Sequence, residues 1–136
     1  MNVWRRVWIT VGLVVAANGA AMPLRAETGP GKAVYLKYCS ACHGETGKGD
    51  GVVSGFMRPR PTDLTQLAKK NNGEFPMIEV IHNIDGTQTV SAHGSGDMPV
   101  WGEIFRQEAA GQIVGESQVR AKSLLIAEYV RTLQVK

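Results

Sequence analysis

The sequence predicts an all-α domain, and three observations support this fold class. Apolar residues recur at helical spacing over residues 117–134 and form one stripe: Leu125, Ile126, Tyr129, Val130 and Leu133. No segment alternates convincingly between polar and apolar residues with the period of two that is typical of strands. Clusters of glycine and proline divide the rest of the chain into short helical segments separated by loops.

The first predicted helix follows the Gly-Pro-Gly sequence at 29–31. Its apolar face is expected to include Ala33, Val34 and Tyr35, and the helix runs into a cysteine motif. Residues 44–55 then hold five glycines, a composition that predicts a loop.

Three more helices are predicted between this loop and the C-terminal one: residues 64–70, 77–82 and 100–110. Thr62 or Asp63 can cap the first of them. Pro76 suits the start of the second, and Gly111 can end the third. A polar loop is expected over residues 85–97.

The N-terminal segment, residues 1–26, is expected to be a signal peptide, which leaves residues 27–136 as the domain. Two arginines precede a nearly continuous apolar run, the pattern of a secretory signal. The run is short for a membrane span, which needs about 20 apolar residues. Cleavage can follow Ala26, or it can follow Ala21, where Gly19 provides the small residue preferred at the minus-three position. An uncleaved membrane anchor is the alternative.

The net charge of +3 does not indicate a nucleic-acid-binding protein. Three of the fifteen Lys and Arg residues lie in the leader, but none of the twelve Asp and Glu residues does. The exported chain would therefore carry equal numbers of basic and acidic residues. It also has no basic run and no aromatic stacking pattern, so nucleic acid is excluded as the expected partner.

The pentapeptide Cys39-Ser40-Ala41-Cys42-His43 contains both cysteines of the chain. C-x-x-C-H is the attachment signature of a c-type haem, in which each thiol adds across one vinyl group and gives a thioether. His43 is then the proximal ligand of the iron. The alternatives are a redox dithiol or half of a zinc site. A zinc site would need more cysteines or a paired histidine, and the sequence has neither. A redox dithiol would be expected beside a βαβ pattern, which is also not present. We therefore expect several helices packed around one covalently attached haem.

Met98 is the best candidate for the sixth ligand of the iron, because it follows a polar loop and Pro99 stiffens the backbone after it. A thioether is a soft, neutral donor, and His/Met ligation raises the reduction potential. The alternative is that Met98 fills a gap in the core, as methionines often do. Met57 and Met77 are each expected to lie in a loop or in the core. His82 and His93 are the competing ligands, although each also suits a surface position or a hydrogen bond to a haem propionate.

Taken together, these segments resemble the class I cytochrome c family over essentially all of the chain after the leader. Two residue pairs match the family. The first helix has a glycine and an aromatic residue, Gly31 and Tyr35, and the last helix has an apolar and an aromatic residue, Ile126 and Tyr129. Residues 44–51 and 58–64 are similar to a bacterial branch of the family, and residues 97–102 look like its methionine-ligand loop.

The resemblance implies a cytochrome c fold with one haem edge exposed. It also implies that a backbone carbonyl from the proline segment, that of Pro59 or Pro61, accepts a hydrogen bond from the proximal imidazole. Arg58 and Arg60 are candidates to pair with haem propionates. Trp101 is expected either to donate to a propionate or to pack on the macrocycle.

The predicted function is that of a monohaem carrier of single electrons in the bacterial periplasm, and not an enzyme. Its partners would be redox proteins met through transient contacts, such as an oxidase, a reductase or a dehydrogenase. Lys32, Lys37 and Lys48 can line the docking face, or simply add solubilising charge. Two alternatives stay open: a haem enzyme or gas sensor with an open sixth site, and a dedicated cytochrome subunit of an oxidase or dehydrogenase.

Overall fold

A computed structural model describes residues 29–87, 98–111 and 115–135 of the chain. Within these ranges the chain forms six α-helices and no strand, which confirms the all-α fold class. The helices are α1 (Pro30–Tyr38), α2 (Ser40–His43), α3 (Leu67–Lys70), α4 (Met77–Asp85), α5 (Trp101–Glu108) and α6 (Gly115–Thr132). Two 3-10 turns, Ser54–Phe56 and Leu64–Gln66, complete the described helical structure. None of the helices found here is both long and apolar enough to cross a membrane. The proposed leader and His93 lie outside the described residues.

Among the described helices, α1 and α6 make the largest contact where they cross. Gly31 allows it, because a Cβ at this position would collide with the carbonyl oxygen of Leu125 and lie 3.2 Å from the Cβ of Tyr129. One turn later, the ring of Tyr35 packs against that of Tyr129 with centroids 5.1 Å apart. Of the residues singled out in the sequence, Gly31, Tyr35 and Tyr129 therefore meet at this crossing.

The core lies where α4 and α5 also pack on α6. Its buried residues include Ile84 of α4, Phe105 of α5, and Ile126 and Val130 of α6. The stripe predicted over the last helix thus faces the other helices, and the helix itself runs from Gly115 to Thr132, two residues earlier at each end than expected.

Two details of the predicted helices are wrong. Ala33 is exposed, because α1 packs through Gly31 and Tyr35, which share one face, whereas Ala33 is half a turn from both. The helix predicted over residues 77–82 continues to Asp85 and ends at Gly86, whose φ of 73° is left-handed. Asp85 predicted a loop because aspartate is common in turns. It is instead the last residue of the helix, and its carboxylate accepts hydrogen bonds from the backbone amide and the hydroxyl of Thr87, in the turn that follows, at 2.9 and 2.6 Å.

Candidate haem site

The cysteine motif forms a single turn of helix at the end of α1. The amide of Cys39 donates to the carbonyl of Tyr35 at 2.8 Å, and the amide of His43 donates to the carbonyl of Cys39 at 2.9 Å. Cys42 and His43 are three and four residues after Cys39, so their side chains leave the same side of this turn. The local backbone therefore presents two sulfurs and an imidazole to one region.

The glycine-rich loop folds back onto the motif and holds it. Its amides donate to the free carbonyls of the turn: Gly49 to His43 at 2.8 Å, Gly51 to Cys42 at 3.1 Å and Val53 to Ala41 at 3.1 Å. These bonds satisfy carbonyls that a short helix leaves without intrahelical partners. The predicted loop thus also serves as the support of the motif.

The imidazole of His43 is oriented by the backbone of Thr62. Its Nδ1 lies 3.0 Å from the Thr62 carbonyl oxygen. A carbonyl can only accept, so Nδ1 carries the proton and Nε2 keeps the lone pair that a metal ligand needs. The expected bond to the proximal imidazole is present, but its acceptor is neither Pro59 nor Pro61. Pro61 precedes Thr62 and holds this segment extended, so the residue after the proline brings its carbonyl to the ring.

A cavity of about 360 Å³ opens beside the motif, within the size range of small-molecule sites. It brings together all four proposed cofactor and iron ligands: Cys39, Cys42, His43 and Met98. The walls are mainly apolar and come from α1, α4, α5, α6 and the segment around Pro61. An apolar cleft with two thiols, an oriented imidazole and a thioether provides the groups that can attach a c-type haem and ligate its iron. The residues therefore fit this cofactor.

Burial shifts the ionisation of two groups in this wall. Desolvation, with a smaller effect of Cys42, raises the pKa of the Cys39 thiol to about 12. Desolvation also lowers the pKa of His43, against an opposing effect of its bond to Thr62. The imidazole therefore stays neutral at physiological pH, as metal ligation requires.

Of the other side chains proposed from the sequence to contact the haem, some line the cavity and others do not. Arg60 and Trp101 line the cavity, whereas Arg58 does not, since its guanidinium donates to the carbonyls of Gly55 and Met57 at 3.1 and 2.7 Å. His82 lies outside the cavity, in a second cleft beside Asp85. The geometry therefore brings Met98, and not His82, to the cavity that contains His43.

An aromatic cluster closes the side of the cavity at α5. The ring of Trp101 stacks on Phe105 with centroids 6.2 Å apart, and Tyr38 meets both rings edge-on at 5.5 and 5.1 Å. The hydroxyl of Tyr38 donates to the carboxylate of Glu108, which also pairs with Lys122 at 2.7 Å. The bonds to Lys122 and Tyr38 lower the pKa of Glu108 to about 2.

The same carboxylate contacts Lys37 at 3.5 Å, and Lys37 donates to the Tyr38 hydroxyl at 2.6 Å. Lys37, one of three lysines considered for a docking face, is therefore engaged within the molecule. Glu108 joins α1, α5 and α6 at this corner.

The chain matches the family described as cytochrome C oxidase, cbb3-type, subunit III over residues 26–115, about two thirds of its length. It belongs to this family of cytochrome c domains. Searches of curated proteins and of solved structures gave no match. The family confirms the resemblance to class I cytochromes c and implies haem c, iron and electron transfer. The match ends where α6 begins, so the helix that crosses α1 lies almost wholly beyond it.

Some residues of this cytochrome's site were missed in the sequence. Met57 lines the cavity although a loop or core role was expected, and α4 contributes Glu79 and Asn83 to the wall. The apolar residues Val80 and Ile84 of the same helix also face it. Spacing of three and four residues over 79–84 was the available signal, because it predicts a common helix face.

Proposed function

We propose that the domain is a monohaem cytochrome that carries single electrons, with one haem c held through the thioethers of Cys39 and Cys42 and iron ligated by His43 and Met98. The bound haem supplies the iron that alternates between the ferric and ferrous states. His43 and Met98 would both be supplied by the protein, so the iron would have no position left for a substrate. A carrier without bond chemistry is the function that this arrangement supports best.

The observation that carries the proposal is the convergence of four side chains on one apolar cavity. The bond from His43 Nδ1 to Thr62 supports it, because such an outer hydrogen bond orients the ring and strengthens the ligand. Apolar walls limit water near the iron and thereby favour a high potential.

Met57 is the competing thioether in the cavity wall, and its position in the chain argues against it. Residues 57–62 form one short segment whose end, Thr62, bonds the imidazole of His43. We expect the second ligand of the iron to come from a different part of the fold than the segment that holds His43. Met98 arrives separately, just before α5.

Replacing each methionine tests the ligation. In the ferric holoprotein, Met98→Ala should abolish the weak iron–sulfur charge-transfer band in the far red and lower the reduction potential in an optical titration. Met57→Ala is the matched control, and it should keep the band. Loss of the band in Met57→Ala but not in Met98→Ala would assign the ligand to Met57. Rapid binding of carbon monoxide to the native ferrous protein would instead favour an enzyme or gas sensor with an open sixth site.

The family match favours a second, narrower function, that of a dedicated cytochrome subunit of an oxidase. Here the electrons would pass to one fixed partner instead of several transient ones. Affinity purification of the tagged protein from detergent-treated membranes of its own organism tests this. Recovery of a terminal oxidase in constant proportion supports a subunit, and recovery of the cytochrome alone supports a mobile carrier.

We also propose that the chain is exported, that residues 1–26 are its signal, and that the domain works in the periplasm. Such a leader would deliver the chain unfolded, with the thiols of Cys39 and Cys42 accessible for haem attachment after export. The intact mass of the purified holoprotein decides between the two cleavage sites. A mass that includes residues 1–26 would indicate a retained anchor.

A further inference from the structure

We infer that the crossing of α4 and α5 positions Met98, with Gly102 and Gly86 as its positioning residues. The inference rests on the proposed ligation of iron by Met98. It concerns what keeps the thioether at the cavity, a separate question from which residue provides it.

Gly102 brings the start of α5 onto the backbone at the end of α4. A Cβ at Gly102 would collide with the carbonyl oxygen of Asp85, and it would lie 2.9 Å from both the carbonyl carbon and the Cα of the same residue. These are backbone atoms, which cannot rotate away as the end of a side chain can. Any side chain at position 102 therefore has to push the two helices apart.

The end of α4 provides a firm base for this contact. Ile84 and Asp85 are both buried, and α4 packs on α6. The Asp85 carboxylate also holds the following turn through its two bonds to Thr87. Displacement at the crossing is consequently expected to fall on the start of α5.

Gly86 makes a second contact at the same crossing. Its φ is 73°, and a Cβ there would collide with Cγ1 of Val100 and lie 3.3 Å from Cγ2. Val100 is two residues after Met98, and Pro99, whose φ is restrained by its ring, is the single residue between them. Displacement of Val100 or Gly102 is therefore transmitted to Met98 through a short, stiff segment.

Such positioning matters most for ferric iron. A neutral thioether favours the ferrous state, so in the ferric protein its bond depends more on how well the chain holds it in place. Met98 itself is 39% exposed. Within the described residues, the helix crossing behind Met98 is a structural element that can keep it at the site.

Imidazole binding to the ferric holoprotein measures how often the sixth position opens. The apparent affinity of an added ligand is proportional to the open fraction, so tenfold more opening gives tenfold tighter binding. We expect Gly102→Ala to tighten imidazole binding by about tenfold or more and to weaken the far-red band. Unchanged affinity and an unchanged band would overturn the inference.

Gly31→Ala is the control for general loosening of the fold. Its added Cβ also meets a backbone carbonyl oxygen, that of Leu125, but at the crossing of α1 and α6. It should lower the melting temperature and leave imidazole affinity within about twofold of the native value, because Met98 is not attached to that crossing. If it tightened imidazole binding as much as Gly102→Ala, ordinary destabilisation would explain both and the inference would fail. Gly55→Ala, where a Cβ meets nothing within 4 Å, should change neither quantity.

Gly86→Ala provides the second variant in case Gly102→Ala does not accumulate as holoprotein. It disturbs the same crossing through a side chain, that of Val100, and should also tighten imidazole binding. Native affinity in Gly86→Ala would count against the inference.

Met98→Ala separates the inference from the proposal on which it rests. If Met98→Ala leaves imidazole affinity unchanged, the proposed ligation itself is wrong. If Met98→Ala tightens binding while Gly102→Ala and Gly86→Ala do not, Met98 is the ligand and only the positioning role is wrong.

Discussion

Tyr35 offers the sharpest test of how the fold supports the cysteine motif. Its side chain is fully buried, and its hydroxyl donates to the carbonyl of Gly44, the residue after His43, at 2.7 Å. Tyr35→Phe keeps the ring and its packing on Tyr129 but removes this bond, so that the Gly44 carbonyl keeps only the longer bond from the amide of Gly47, at 3.3 Å. The expected loss is about 0.5–1.5 kcal/mol in the free energy of unfolding, the net contribution of one intramolecular hydrogen bond. For a domain of this size, that corresponds to a fall in melting temperature of roughly 4–8 °C per kcal/mol.

The same substitution has a second effect at high pH. Burial is the main cause that raises the pKa of Tyr35 above its ordinary range. The unfolded chain then releases the tyrosine proton near its ordinary value of about 10, whereas the folded protein retains it. The stabilisation from this group is therefore complete below about pH 10 and decreases as the pH rises further. The phenylalanine variant lacks this group, so its stability should fall less steeply above pH 10.

Guanidinium unfolding of the holoprotein, followed by circular dichroism at pH 7 and at several values above 10, measures both effects. Tyr38→Phe is the control, because the hydroxyl of Tyr38 bonds Lys37 and Glu108 in an exposed position and should contribute less. Equal stability of Tyr35→Phe and the native protein at pH 7 would refute the role of the buried bond. If the stability of Tyr35→Phe and that of the native protein fell equally steeply above pH 10, the argument from the burial of Tyr35 would be refuted.

Three further predictions concern the corner at α5 and the cofactor. In Glu108→Gln, stability should depend less on pH at acid pH. The native carboxylate, with its pKa lowered from 4.5 to about 2, loses its lysine pairs as the pH falls through this window. Acid titration followed by circular dichroism would give parallel curves for the variant and the native protein if these pairs contribute nothing. Phe105→Ala removes a fully buried ring, and chemical unfolding should show a loss of about 3–5 kcal/mol, whereas a loss below about 1 kcal/mol would contradict its place in the core. The haem-free variant Cys39→Ala/Cys42→Ala should lack cooperative melting, because a domain with a cavity at its centre has a thin core. Native-like helicity and a sharp thermal transition, both measured by circular dichroism, would disprove this.

The helices and the cysteine motif were predictable from the sequence because both depend on local patterns. Helical spacing located α6, Pro76 marked the start of α4, and Asp63 caps its helix as expected by accepting from the amide of Thr65 at 2.9 Å. Asp85 and Gly86 predicted the start of a polar loop, whereas the helix continues to Asp85 and ends at Gly86.

The parts that could not be predicted depend on contacts between distant segments. The acceptor for His43 is a backbone carbonyl, which every residue has, so only the path of the chain selects Thr62 over Pro59 or Pro61. The place of Met57 in the cavity wall depends on how its loop returns to the motif. The collision that makes glycine necessary at 102 exists only once α4 and α5 have crossed.

The aromatic cluster has a practical consequence through Trp101. The other two tryptophans, Trp4 and Trp8, lie in the predicted leader, so a chain that starts at residue 27 contains Trp101 alone. This indole lines the cavity and stacks on Phe105, and its emission should therefore report one place in the molecule instead of an average. A bound porphyrin there should quench it by energy transfer. Fluorescence can thus follow cofactor loading and the opening of this one corner in protein that carries no added dye.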